Sequence, residues 1–112
     1  MALVIPGLPA CAGYDGHWAD PLGPLTLSVA GYAALTRRLK ETAEEVCNGR
    51  IVLVLEGGYN LKALAASVLA CLEVLANDDD MVIDPFGPSN EPEPDISALI
   101  ARMRQNHPLL AG

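Results

Sequence analysis

A chain of 112 residues has room for one small domain, and 51% apolar against 19% charged residues make that domain globular rather than disordered. The net charge of −7 is local, because Asp78, Asp79, Asp80, Asp84, Glu91, Glu93 and Asp95 are half of the 14 acids and no Lys or Arg interrupts them. Elsewhere acids and bases balance, which leaves no basic patch for a phosphate backbone and argues against nucleic-acid binding.

The N-terminus has no basic start followed by a long apolar run, and Pro6 and Pro9 break its only apolar stretch. Neither a signal peptide nor a membrane span is expected. Leu3-Val4-Ile5 or Leu8 to Ala12 offers a strand, weakened by those prolines. Ser28 then suits the N-cap of a helix running to about Cys47, with Asn48-Gly49 as its stop. Val29, Tyr32, Leu35, Leu39, Ala43 and Val46 fall on one stripe of it, and Arg37, Arg38, Lys40, Glu41, Glu44 and Glu45 take the wet side.

Ile51-Val52-Leu53-Val54-Leu55 is a continuous β-branched and Leu run without polar alternation, the pattern of a strand buried on both faces of a parallel sheet. Asn60 can cap the next helix, Leu61 to about Ala76. There Leu61, Leu64, Ala65, Val68, Cys71, Leu72 and Leu75 keep helical spacing, and only Lys62 and Glu73 are charged, so this helix should be largely buried. Residues 78–94 form an acidic, Pro-rich connector, read as a solvated loop in preference to a cation or partner site because four prolines interrupt it. A last helix from about Asp95 to Asn106 carries Ile96, Leu99, Ile100 and Met103 on one face.

Helix, buried strand, helix is an α/β signature, and a parallel strand needs neighbours. One or two strands do not make a stable sheet, so the chain is expected to be a piece of a larger fold whose exposed strand edges favour self-association. Cys11, Cys47 and Cys71 are odd in number and form no CxxC pair, which argues against a disulfide framework and for a reducing, cytoplasmic setting.

Two segments carry chemistry: Ala12-Gly13-Tyr14-Asp15-Gly16-His17-Trp18-Ala19-Asp20-Pro21-Leu22-Gly23, and Leu55-Glu56-Gly57-Gly58-Tyr59-Asn60-Leu61. Taken singly they are ambiguous. Asp20 before Pro21 commonly begins a turn. Asp15 and His17 have metal-ligand spacing but equally suit a local hydrogen-bonded pair, and Trp18 suits packing. Gly57-Gly58-Tyr59 suits a plain strand-to-helix turn, and no phosphate-cradling GxGxxG or GxxxxGK[ST] is present.

In their order and spacing, however, the two segments resemble the last two active-site segments of the zinc-dependent histone deacetylase family. These are arginase-like amidohydrolases that remove acetyl groups from lysines and polyamines, and the likeness is to their bacterial, acetoin-utilisation-like and class II-like branch. It runs from about Ala12 to Leu75, and more loosely through Asp84-Pro85-Phe86-Gly87 to the last helix. The resemblance implies the C-terminal part of an arginase/deacetylase-like three-layer α/β fold with a mostly parallel sheet, incomplete in this chain.

It also implies roles. Asp20 matches a carboxylate ligand of the catalytic Zn2+, and Tyr59 matches the tyrosine whose hydroxyl meets the substrate carbonyl and then the oxyanion. Gly57 and Gly58 match positions lining the channel for an acetylated lysine or amine. Asp15 and His17 match motif positions without a direct ligand role, giving loop structure and support to the ligands.

The sequence departs from the family in two places. The complete site needs two adjacent histidines and an Asp-x-His ligand pair, whereas this chain has only His17 and His107, and Asp15-Gly16-His17 belongs to the matched loop. The strand before that loop should be a continuous β-former but contains Pro6 and Pro9, so residues 1–11 read as a non-native start. The expectation is therefore a C-terminal deacetylase segment, with residues 12–77 from the catalytic domain and 95–112 a helix and tail, inactive alone. The alternative is a non-catalytic remnant acting as an interaction module. A small-molecule domain using the glycine turn is disfavoured by the missing phosphate motif.

Overall fold

Five elements follow in order: β1 (Leu8–Ala12), α1 (Val29–Cys47), β2 (Ile51–Leu55), α2 (Leu61–Leu75) and α3 (Ser97–Asn106). They come from a computed structural model that describes residues 7–78, 80 and 82–109. The candidate strand Leu3-Val4-Ile5 lies outside the described residues.

The helix ends obey their caps. Ser28 Oγ accepts the Gly31 N–H (3.0 Å) to open α1, and Asn48 takes the left-handed conformation (φ 55°) to close it. Asn60 Oδ1 accepts the Ala63 N–H (3.1 Å) to open α2. β1 and β2 pair in parallel, Leu8 opposite Ile51 through Ala12 opposite Leu55. Leu8 N–H donates to Arg50 O (2.9 Å), so residues 8, 10 and 12 face the ladder and the N–H that Pro9 lacks falls on the outer edge. That is why a proline-bearing segment still forms a strand here, across part of the stretch read as a foreign start.

Both helices cover the same face of this two-stranded sheet. Val29 and Ala33 of α1 meet Ala70 and Val74 of α2, while Tyr14, Tyr32 and Cys71 make a second cluster with Ala12, Leu27, Leu64 and Val68 around them. The helices approach through small residues, with Thr36 Oγ1 donating to Cys71 Sγ (3.0 Å). This close seam rotates the buried stripes from the expected ones. On α1, Ala33, Thr36 and Cys47 are buried, whereas Leu35 and Val46 are exposed. On α2, Ala63, Ser67, Ala70, Cys71 and Val74 are buried, whereas Leu61, Leu69 and Leu72 are exposed, so α2 is not the largely buried helix its composition suggests.

The far face of the sheet has no cover within the described residues. Val52 (61% exposed) and Val54 (51%) project from it beside Pro9 and Cys11, which corrects the expectation of a strand buried on both sides. The α3 face of Ile96, Leu99, Ile100 and Met103 is likewise exposed. Both are apolar surfaces of the kind a larger fold or a partner covers. No helix among the described residues is long and apolar enough to cross a membrane.

Candidate functional site

Parallel pairing brings the C-terminal ends of β1 and β2 side by side, so the two motif segments leave the sheet together, at the edge where open α/β proteins place their sites. The ladder continues past the strands: Glu56 N–H donates to Ala12 O (3.0 Å) and Tyr14 N–H to Gly57 O (2.8 Å). Beyond it the first segment coils into a loop laced to the lead-in of α1, through Leu27 N–H to Gly16 O (3.0 Å) and Trp18 N–H to Leu27 O (2.9 Å). Tyr32 steadies the loop from α1, donating its hydroxyl to Gly13 O (3.0 Å) and packing on Tyr14 with ring centroids 4.9 Å apart.

Asp20 joins the two segments. Its Oδ1 accepts the N–H groups of Leu22 (2.8 Å) and Gly23 (3.0 Å), and its Oδ2 accepts the N–H of Tyr59 (2.8 Å) across 39 residues. Burial (8% exposed) pushes the carboxyl pKa up, but the N–H groups of Tyr59, Leu22, Gly23 and Asn60 together outweigh it and hold the acid below its ordinary value. Asp20 is thus a fixed anion at neutral pH. Asn60, read from the sequence only as a cap, also donates Nδ2–H to Ala19 O (3.0 Å) and ties the α2 end to the residue before Asp20.

Two glycines are required by this closeness. A Cβ on Gly23 would lie 1.6 Å from Asp15 O, and Gly58 has φ 138° with its would-be Cβ 2.8 Å from Leu64 Cδ1. Gly57 lies against the Asp15 carboxylate, its would-be Cβ 3.1 Å from Asp15 Cγ. The side-chain faces of Gly57 and Gly58 are therefore filled by the chain's own residues. The Tyr59 side chain projects outward, 55% exposed, while its backbone is held by Asp20.

His17 sits behind this edge rather than in it. It is fully buried, its Nδ1 accepts the Ala19 N–H (3.0 Å), and its ring stacks on Trp18 (5.5 Å) and meets Phe86 edge-on (5.0 Å). Burial lowers its pKa, against the upward pull of Asp84 and Asp20, and keeps the imidazole neutral at neutral pH. With Nδ1 accepting, Nε2 carries the proton, and it has no hydrogen-bond partner among the described residues. Asp20, Asp15, Gly57, Gly58 and Tyr59 are brought to one edge, and His17 supports the loop from within.

The structure adds Asp84, Phe86 and Gly87, which fold back onto Trp18 and His17. The signal for them in the sequence was the loose family likeness of Asp84-Pro85-Phe86-Gly87, submerged in an acidic stretch. Among the described residues no three His, Cys, Asp or Glu side chains converge to hold a metal ion. Asp20 fits as a single ligand, since Oδ2 accepts one N–H and keeps a lone pair. A catalytic zinc takes three protein ligands, so these residues do not form such a centre by themselves.

Residues 8–75 match the family model described as the histone deacetylase domain. The chain is 39% identical over 99 residues to histone deacetylase 14, chloroplastic, of Arabidopsis thaliana, covering 86% of this chain and 23% of that protein. It is 38% identical over 96 residues to a probable deacetylase of Archaeoglobus fulgidus, covering 85% and 25%. It is 43% identical over 67 residues to type-2 histone deacetylase 1 of Dictyostelium discoideum, covering 60% and 4%. The crystal structure of the HDA15 HD domain superposes with a TM-score of 0.57 at 33% identity, over 75% of this chain and 21% of that one. The chain thus spans about a quarter of the length of the first two relatives, and its two strands and helices are a partial α/β deacetylase fold.

Proposed function

The chain belongs to the histone deacetylase domain family, and from that premise we propose that it supplies the Asp20–Tyr59 edge of a zinc-dependent deacetylase site. The complete enzyme would hydrolyse the N-acetyl amide of a lysine or polyamine to acetate and the free amine. The observation that carries this reading is the 2.8 Å hydrogen bond from Tyr59 N–H to Asp20 Oδ2, which locks the two motif segments into one unit.

Asp20 would hold the metal together with ligands from outside this chain, whose two histidines are not adjacent. Zinc, when bound, supplies Lewis-acid polarisation of the amide carbonyl and a bound water of lowered pKa. The chain's own residues do the rest of their share. Tyr59 donates its hydroxyl to the carbonyl oxygen and then to the developing oxyanion, a donor placed before charge appears. Gly57 and Gly58, packed on Asp15, Tyr14 and Leu64 on one side, present bare backbone as channel wall on the other. Asp15 and His17 hold the loop in shape from behind. We place the protein in the bacterial, acetoin-utilisation-like and class II-like branch of the family on the resemblance of its two motif segments, while the relatives reported above come from Arabidopsis thaliana, Archaeoglobus fulgidus and Dictyostelium discoideum. We also place it in the cytoplasm, which three unpaired cysteines, Cys11 exposed among them, support.

The test compares the chain with a fusion in which the N-terminal portion of a close relative, carrying the histidine pair and the other ligands, is joined to residues 8–112. The chain alone should show no turnover of an acetyl-lysine peptide, and the fusion should show turnover that a chelator abolishes. Chelator-sensitive turnover by the chain alone, or a folded fusion without activity, would count against the reading.

One observation favours a second role, that of a non-catalytic interaction module: the open apolar face around Val52 and Val54. Purified chain should accordingly self-associate in light scattering, and Val52→Lys with Val54→Lys should shift it toward monomer. A monodisperse parental monomer with a cooperative melt would contradict this.

A further inference from the structure

We propose that the turn Asp84-Pro85-Phe86-Gly87 is a clasp that positions Asp20 by gripping the loop behind it. The turn lies in a stretch whose composition reads as solvated linker, yet its Gly87 carbonyl and Phe86 ring engage the loop of the first motif segment and its Asp84 carboxylate engages α1. Asp84 Oδ1 accepts the N–H groups of Phe86 (3.0 Å) and Gly87 (2.9 Å) and closes the turn, while Oδ2 accepts the Ala30 N–H (3.1 Å) in the first turn of α1. Closed this way, the turn presents Gly87 O to the Trp18 indole N–H (2.9 Å), a bond spanning 69 residues. It also sets the Phe86 ring against both His17 (5.0 Å) and Trp18 (6.2 Å).

The grip passes along the chain by short links. His17 is fully buried with Phe86 against its ring, so its orientation is fixed. Its Nδ1 holds the Ala19 N–H (3.0 Å) and its carbonyl accepts the Asp20 N–H (3.0 Å). Asn60 holds the Ala19 carbonyl from the opposite side (3.0 Å). Asp20 is thereby aimed at Tyr59 between two anchors, one on α2 and one on the clasp. Phe86 and Asp84 are positioning residues, since they act on Asp20 through His17 and Trp18 and touch neither Asp20 nor Tyr59 in any of these bonds. The functional meaning of the clasp rests on the reading of Asp20 as a ligand-bearing residue, but its geometry does not.

The test uses the full chain, in which Trp18 is the sole tryptophan and therefore a built-in reporter. In Phe86→Ala, amide hydrogen exchange at Ala19, Leu22, Gly23 and Tyr59 should accelerate about three- to tenfold, the equivalent of losing roughly one hydrogen bond's worth of protection. Acrylamide quenching of Trp18 should rise with it. Phe86 also packs on the Val29, Ala33, Ala70 and Val74 cluster, so the control amides are taken from α1 outside it: Thr36 and Ala43 should keep their protection, and Phe86→Tyr should restore the parental pattern. Asp84→Asn, which leaves one acceptor oxygen where there were two, should reproduce the effect in weaker form and decides the matter if Phe86→Ala does not fold. Unchanged exchange at Tyr59 would overturn the clasp. So would a uniform acceleration reaching Thr36 and Ala43, which would mean general stabilisation and no positioning. A failed deacetylase reading leaves these measurements untouched, because they report loop geometry without any substrate or metal.

Discussion

Asp20→Ala, made in the fusion that restores the remaining ligands, should yield a folded domain that holds no stoichiometric zinc and does not turn over an acetyl-lysine peptide. Two protein ligands bind the metal poorly where three are usual. The substitution also strips the acceptor from the N–H groups of Leu22, Gly23 and Tyr59, so the two motif segments lose their link. Asp20→Asn separates these effects. Asparagine keeps the size and one acceptor oxygen but brings an N–H2 that faces a backbone donor and removes the negative charge. If Asp20 serves as a ligand, both variants lose zinc, and Asp20→Asn retains more of the Tyr59 amide protection than Asp20→Ala. Metal analysis of the purified variants settles it: a full equivalent of zinc on Asp20→Ala would end the assignment.

Tyr59→Phe should behave in the opposite way, keeping the zinc and losing about 10²–10³ in turnover, the usual cost of removing one oxyanion donor. The separation is clean because Tyr59 serves through two different groups. Its backbone N–H holds Asp20 and survives the change, whereas its half-exposed side chain packs into neither buried core cluster. Because the contact strengthens only as charge forms, kcat and kcat/KM should fall together with little change in KM. Parental turnover in Tyr59→Phe would show that another group meets the oxyanion. Loss of zinc from it would show that the hydroxyl helps build the metal site.

What the sequence by itself determined is the local structure and the family. Ser28, Asn48 and Asn60 mark helix ends by side-chain and backbone chemistry that operates within three or four residues, and the observed ends of α1 and the start of α2 fall on them. The β-branched run of β2 declares itself in the same way, and the two motif segments declare the family, which residues 8–75 bear out.

Only the tertiary structure decided which faces are buried and what holds the loop. Apolar spacing on α2 marks a broad stripe but cannot choose between packing large residues on the sheet and small ones on α1. The close α1–α2 seam through Ala33, Ala70 and Thr36 made that choice and left Leu69 and Leu72 outside. Pro9 could join β1 only because its missing N–H falls on the edge that no described strand pairs, a fact of register invisible from composition. The Asp84 turn reaches Ala30 across 54 residues and Trp18 across 69, and local propensity holds no information about contacts at that separation. Caps and strand runs are written in neighbouring residues, whereas burial and long-range hydrogen bonds depend on how whole elements pack, and that is settled only when the chain is folded.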